Sequence, residues 1–268
     1  GYLSFRYEAN PWGVGTVQTQ LTQRLVVDKG LTAIYVNTLT SDNGPTNTFT
    51  ALSLANVNKG TLYISDPRTR NNSTTAMAYT TLGGFAQHAI GGTGDLTTET
   101  YPIIPWIVAH WTSSSDIMFA AVNSRNQMHR PVRNSVALDT VSDPLRNVYS
   151  SGQSIALAQD RTVNSLWINN AGKAQRLGLG RTLEITSGGL ILNNYGTKIG
   201  DQSGGAENGS LVFGNTAYVY ATSTDPVRPQ EIWAPVTAPQ GFVCGYYGYL
   251  LLAGDQTGIV LLDVTPLN

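Results

Sequence analysis

The chain has 268 residues, with 16 Lys and Arg against 17 Asp and Glu and a formal net charge of -1, which excludes a global basic field for nucleic acid and an acidic tail. Charged residues are only 12% of the total, about half the usual share. Thr, Ser, Asn and Gly fill the polar positions instead, which suits turns and short strands and not a helical cytosolic enzyme, whose exposed faces would carry Glu, Lys and Arg.

Residues 1 to 66 alternate short apolar runs with turns. Tyr2 to Phe5, Leu25 to Val27, Ala33 to Val36, Phe49 to Leu54 and Gly60 to Ser65 read as strands, since they are brief, rich in β-branched and aromatic residues, and closed by Gly, Asn, Asp or Pro. Phe49 and Ala51 fall on one face. Asp28-Lys29-Gly30 and Asp42-Asn43-Gly44-Pro45 mark the breaks. The chain opens at Gly1 inside a strand-like pattern, without an initiator Met or signal peptide. It is expected to be a processed product or an excised piece of something longer. No apolar run approaches the ~20 residues that span a bilayer as a helix.

Residues 67 to 135 break the rhythm and read as an irregular, loop-rich lateral excursion. Thr74 to Ile90 suits a loop with a short helix, and its glycines oppose a long one. Tyr101 to Val108 is apolar but contains Pro102 and Pro105. Proline cannot donate to a ladder, so this run is expected at an edge or in a loop packed on the core. Phe119 to Asn123 reads as one more strand. From residue 136 the regular pattern returns, and no charged or Pro-rich linker intervenes. One domain over residues 1–268 is expected.

Thr162 to Val264 is a ladder. Its rungs are Val163 to Ile168, Leu183 to Ile185, Leu190 to Leu192, Leu211 to Phe213, Tyr218 to Tyr220, Ile232-Trp233, Tyr249 to Leu252 and Ile259 to Val264. Two all-β outcomes compete. A β-sandwich needs antiparallel strands joined by tight hairpins, and Asn208-Gly209 is the clear candidate for one. A parallel β-helix stacks each turn ~4.8 Å from the last, with apolar residues inward at alternate positions and polar corners. Thr182 to Asn194 fits the second. Leu183, Ile185, Leu190 and Leu192 point inward, Glu184 and Thr186 outward, and Gly188-Gly189 forms a corner that a Cβ would obstruct. Asn193-Asn194 is placed to stack on neighbouring corners. The expected fold is all-β, a parallel β-helix solenoid, with a β-sandwich as the alternative.

Thr182 to Asn194, Gly209 to Gly214 and Gly248 to Asp255 also resemble autotransporter-associated (passenger-associated) β-strand repeats. Tyr249-Leu250-Leu251-Leu252-Ala253-Gly254-Asp255 stands close to the Leu-x-Leu-x-Gly-Asn corner of that family. The resemblance implies a secreted, right-handed parallel β-helix that is surface-displayed or released, and no catalytic machinery.

The search for chemistry finds little. His88, His110 and His129 lack metal-ligand spacing, and neither metal nor cofactor is expected. Cys244 is the only cysteine. It forms no internal disulfide and reads as a small buried apolar side chain. Asp139, Asp143 and Asp160 with Arg133, Arg146 and Arg161 are the candidates for polysaccharide cleavage by an acid–base pair; turns and corners explain them better. Arg125, Arg130, Arg133 and His129 form a local basic cluster that reads as a solvated loop. Tyr246, Tyr247 and Tyr249, with Trp233 and Phe242, are candidates for glycan stacking or a subunit contact. Asn71, Asn72 and Asn208 each begin a sequon. Tyr2 to Phe5 and Ile259 to Leu262 are strand-like ends with no helical cap, so self-association by stacking or strand addition is expected, with Tyr2 and Phe5 at one such contact. The expected role is that of an extracellular structural or adhesive cell-surface protein, a homopolymeric fibre or layer subunit and not an enzyme. A polysaccharide-degrading β-helix or a glycan-binding module is the alternative.

Overall fold

The computed structural model describes residues 2–5, 19–36, 47–65, 78–92, 98–110, 117–122, 128–129, 132–151, 156–169, 174–175, 178, 180–202, 208–245, 248–254, 256–257 and 261–262. Short runs of Val, Ile, Leu, Thr and Tyr form strands here because branched and aromatic side chains fit a pleated surface, and the intervening Gly, Asn and Asp end each one. Among the described residues no α-helix occurs, and Phe85–Gln87 and Leu138–Thr140 are 3₁₀ turns. The chain clusters into two compact units, Gly1–Ala89 with Pro102–Pro131, and Ile90–Tyr101 with Val132–Asn268.

The first unit holds β1 (Tyr2–Phe5), β2 (Thr19–Val27), β3 (Leu31–Val36), β4 (Asn47–Asn56), β5 (Thr61–Ser65), β6 (Ala78–Leu82), β7 (Ile103–His110), β8 (Ile117–Val122) and β9 (Met128–His129). Up to β7 the chain alternates between two parallel sheets, β1-β3-β5-β7 and β2-β4-β6. Tyr2 lies beside Ala33, and Leu31 beside Thr61. Then β8 and β9 each return antiparallel. Phe49 and Ala51 are buried, as their shared face requires. Of the Thr74 to Ile90 segment, residues 78–90 are described: the short helix is present as the 3₁₀ turn Phe85–Gln87, and strand β6 stands where a loop is expected.

The run containing Pro105 corrects a second expectation. It is an internal strand, β7, paired with β5 on one side and β8 on the other. Proline is tolerated because the β8 register skips between Ile104 and Val108, while β5 joins only from Ile107 onward. The missing amide falls at this irregularity, where no ladder bond is required.

The second unit holds β10 (Asp143–Ser151), β11 (Arg161–Asn169), β12 (Ala174–Gln175), β13 (Thr182–Asn193), β14 (Lys198–Ile199), β15 (Ser210–Phe213), β16 (Ala217–Ala221), β17 (Gln230–Ile232), β18 (Val236–Thr237), β19 (Phe242–Gly245), β20 (Leu250–Leu252), β21 (Gln256–Thr257) and β22 (Leu261–Leu262). Every strand pairing described within it is parallel. Asn208-Gly209 is therefore not a hairpin turn; it leads into β15, which lies parallel to β13. The first half of β13 pairs with β15 and its second half with β16. From these, one path continues through β18 to β21 and the other through β19 to β22. A separate sheet runs β12-β14-β17-β20. From β13 onward the chain visits these three paths in rotation.

Register stacks like on like. Leu183, Leu211 and Val236 form one inward column; Leu190, Val219 and Cys244 a second; Ile199, Ile232 and Leu252 a third. Burying each large aliphatic side chain contributes about 1.5–3 kcal/mol. Phe213 meets Phe242 edge to face, with ring centroids 6.3 Å apart. The corner after β13 is polar and closed on itself. Asn194 Nδ2 donates to Asn169 Oδ1, Thr222 Oγ1 to Asn193 Oδ1 at 2.8 Å, and Gln230 Nε2 to the Asn194 carbonyl at 2.7 Å.

Gly188 makes the bend between the halves of β13. Its φ is +84°, and a Cβ there would lie 2.0 Å from the Thr216 carbonyl oxygen. Gly180 has a comparable φ of +64° with nothing within 4 Å of the same point. Gly180→Ala should therefore cost about 1–2 kcal/mol, the left-handed penalty alone, whereas Gly188→Ala adds a backbone clash and should cost clearly more. Urea titration of both variants tests this; equal losses would mean that the two turns do not approach as described.

Candidate functional site

The predicted residues scatter. Tyr2 and Phe5 lie on β1, opposite Ala33 and Val36 of β3. Tyr246, Tyr247, Arg125, Arg130, Asn71 and Asn72 lie outside the described residues. Phe242 is core, not surface. Asn208 is buried, its Nδ2 donating to the Asp201 and Trp233 carbonyls at 2.9 and 3.3 Å and its Oδ1 accepting from the Asp201 amide at 2.7 Å, so in the folded chain this sequon is closed to a glycan. Two of the acidic candidates hold backbone amides: Asp143 Oδ1 accepts the Leu145 amide at 2.9 Å within a turn, and Asp160 Oδ1 the Thr182 amide at 2.7 Å at the start of β13; Asp139 lies in the 3₁₀ turn Leu138–Thr140. Arg146 pairs with Glu99 at 3.6 Å. Arg133 lies 5.0 Å from both the Tyr149 and Trp167 ring centres. His88 Nε2 is 2.9 Å from the Leu54 carbonyl oxygen, and its ring meets Trp106 edge-on. Among the described residues no group of three or more metal-ligating side chains gathers, and no helix is long and apolar enough to cross a membrane.

One surface does concentrate chemistry: the outer face of the β12-β14-β17-β20 sheet. Ile199, Ile232, Leu250 and Leu252 face or pack against the core, so strand alternation turns Lys198, Glu231, Trp233, Tyr249 and Leu251 outward. Glu231 stands between Lys198 on β14 and Leu251 on β20. Lys198 Nζ lies 3.0 Å from Glu231 Oε2, and Trp233 Nε1 donates to that same oxygen at 2.5 Å. The Glu231 side chain is 13% exposed and that of Lys198 36%. Tyr249 is 51% exposed and Leu251 40%. Tyr249 is itself anchored through its backbone, donating to the Ser223 carbonyl at 2.7 Å and accepting from the Gln230 amide at 3.0 Å.

An ion-paired corner precedes β17. Arg228 stacks over Tyr195, 4.0 Å from the ring centre, and its Nε donates to Asp225 Oδ2 at 2.6 Å. The Arg228 hydrogen bond, seconded by the Val227 amide, holds the Asp225 carboxyl below its ordinary value near 3.8. Cys244 is partly buried, packed against the core, and this desolvation pushes its thiol up to about 12.

Of this face, Trp233 and Tyr249 were visible in the sequence as aromatic candidates. Glu231 and Lys198 were missed. The alternation in Gln230-Glu231-Ile232-Trp233 puts Glu231 and Trp233 on one side, a signal that was there to use. Lys198 joins them only through strand register. Compared with protein-family models, curated proteins and solved structures, the chain matches none.

Two titrations follow. Asp225 has a depressed folded pKa, so its stabilising contribution is present above the unfolded value and is lost as pH falls through the folded one. Carboxyl NMR should place its midpoint below 3.8, and Arg228→Met should return it toward 3.8; an unmoved midpoint in that variant would contradict the assigned cause. Cys244 should carry on the order of 10³-fold less thiolate at pH 8.5 than a free cysteine. Native iodoacetamide labelling should therefore be much slower than labelling of the unfolded chain, and equal rates would refute the raised pKa.

Proposed function

We propose that the parallel strands of each unit wind as a right-handed β-helix, with β8 and β9 an antiparallel departure in the first, and that the chain is a secreted bacterial structural or adhesive protein of the cell surface, self-associating into a fibre or layer. The observation that carries the reading is the rotation of consecutive strands among parallel sheets in stacked register, which is how a chain coils and not how a sandwich is laid down. The resemblance to passenger-associated repeats points the same way, as does a Thr-, Ser- and Asn-rich composition with little charge. Asp143 and Asp160 are engaged by backbone amides, and the proposed role is passive.

Self-association has its own support. Among the described residues β2 pairs on one side only, with β4. It is nine residues long, contains no Pro or Lys, has Arg24 as its one charge, and exposes Leu21 and Val26. Proteins ordinarily blunt such an edge, and an unblunted one accepts a strand from another copy. If the contact is head-to-tail and does not close, filaments result.

Negative-stain electron microscopy and sedimentation of the purified chain should show assemblies that grow with concentration. Leu21→Lys with Val26→Lys should abolish them while leaving the circular dichroism of the monomer unchanged. Dispersed monomers at high concentration would overturn the self-association.

A further inference from the structure

We infer that the outer face formed by Lys198, Glu231, Trp233, Tyr249 and Leu251 is a binding site for an extended neutral polysaccharide. The reason lies in how the Glu231 carboxylate is spent. Both of its close contacts, Lys198 Nζ and Trp233 Nε1, converge on Oε2. Among the described residues Oε1 receives no hydrogen bond, and its neighbour on the β20 side is the apolar Leu251. A carboxylate accepts only, so Oε1 is an oriented, unspent acceptor. Among the described residues the three N–H donors of Lys198 meet only Glu231, and the side chain is partly exposed. The face therefore offers one free acceptor and free donors side by side, held in place by an ion pair. Two adjacent hydroxyls match that arrangement: one donates to Oε1 and the next accepts from Nζ. Sugars carry such pairs around every ring.

The surroundings select further. Lys198 and Glu231 cancel in charge, so an anionic ligand gains no net field at this point, whereas a neutral one loses nothing. Trp233 follows Glu231 by two residues and Tyr249 precedes Leu251 by two, so the aromatics flank the polar pair at opposite ends. Strand geometry puts them roughly 14 Å apart, which suits a chain of rings and not one small molecule. An aromatic ring presents an apolar face to the C–H groups of a sugar, and a sheet surface, unlike a concave pocket, admits a polymer from either end.

Affinity electrophoresis of the full chain tests the site, using native gels containing hydroxyethylcellulose, mannan, polygalacturonate or dextran sulfate. Retardation by at least one neutral polymer is expected. Tyr249→Ala and Trp233→Ala should each weaken it by about tenfold, the scale of one lost aromatic contact. Tyr249 is exposed, so its variant keeps the test valid even if Trp233→Ala unfolds, which a thermal melt reports. Glu231→Gln should weaken binding, because an amide at that position leaves a donor competing for the Oε1 place. Retardation by the anionic polymers alone would overturn the inference, since exposed cations explain that. So would no retardation by any polymer, or a mobility change lost in Tyr249→Ala without polymer present, which would make this face a contact between copies. The site needs no assembly. Binding by a strictly monomeric chain would overturn only the fibre proposal, and fibres that ignore every glycan would overturn only this one.

Discussion

Parallel pairing, mostly between strands that are not neighbours in the sequence, is the constraint on which the rest depends. A parallel ladder cannot be closed by a two-residue turn, so the chain must travel before it returns beside itself. In the second unit that travel is used to lay strands into other sheets on the way. The return brings residues of like position together, so Leu183, Leu211 and Val236 share a column, as do Leu190, Val219 and Cys244. Each column member is buried largely by the ones before and after it. Stability is then a property of neighbouring rungs and not of any one strand.

Packing strands this closely forces polar groups inside, and, with Asn164 Oδ1, Trp167 Nε1 and Arg161 Nε as the buried exceptions among the described residues, most of them are satisfied there. Asn147 shows how. Its Nδ2 donates to the Glu99 and Tyr101 carbonyls at 3.0 and 2.7 Å, and its Oδ1 accepts from Asn164 Nδ2 at 2.8 Å and Ser165 Oγ at 2.7 Å. All four capacities of one amide are used, fastening residues 99–101 to β10 and β10 to β11. Ser187 Oγ continues the chain of contacts to the Asn164 carbonyl at 2.5 Å. An apolar residue at position 147 would strand several of these groups at once. Such directional bonds fix the register of one strand on the next more tightly than aliphatic contact does.

Much of this was legible from residue order because strand period is a local property. Leu183, Ile185, Leu190 and Leu192 announced an inward face, and Gly188 announced a bend, without reference to anything distant. Pro105 misled for an equally physical reason. A proline denies one ladder bond, but whether that bond is needed depends on the register of two other strands, and β8 skips there. The sequence pattern places a corner between two strands at Gly188, whereas β13 passes through it and changes partners. Lys198 and Glu231 belong to the same class of difficulty. Each is an ordinary exposed charge in its own stretch, and only the β14–β17 pairing turns them into a couple. Alternation announces a face; it says nothing of what stands opposite.

The scarcity of ionised side chains follows from stacked strands. An outward residue in a parallel sheet has its counterparts ~4.8 Å away above and below. At that spacing two like charges repel by about 1 kcal/mol in water and several times more where solvent is thinned. Hydroxyls and amides repeat without that penalty. The outward row through Thr162, Glu184, Val212 and Thr237 holds a single carboxylate among uncharged neighbours, and Lys198 meets Glu231 with opposite sign. A surface assembled under that rule has little Coulombic means of keeping its copies apart, and its colloidal behaviour is left to shape and hydration.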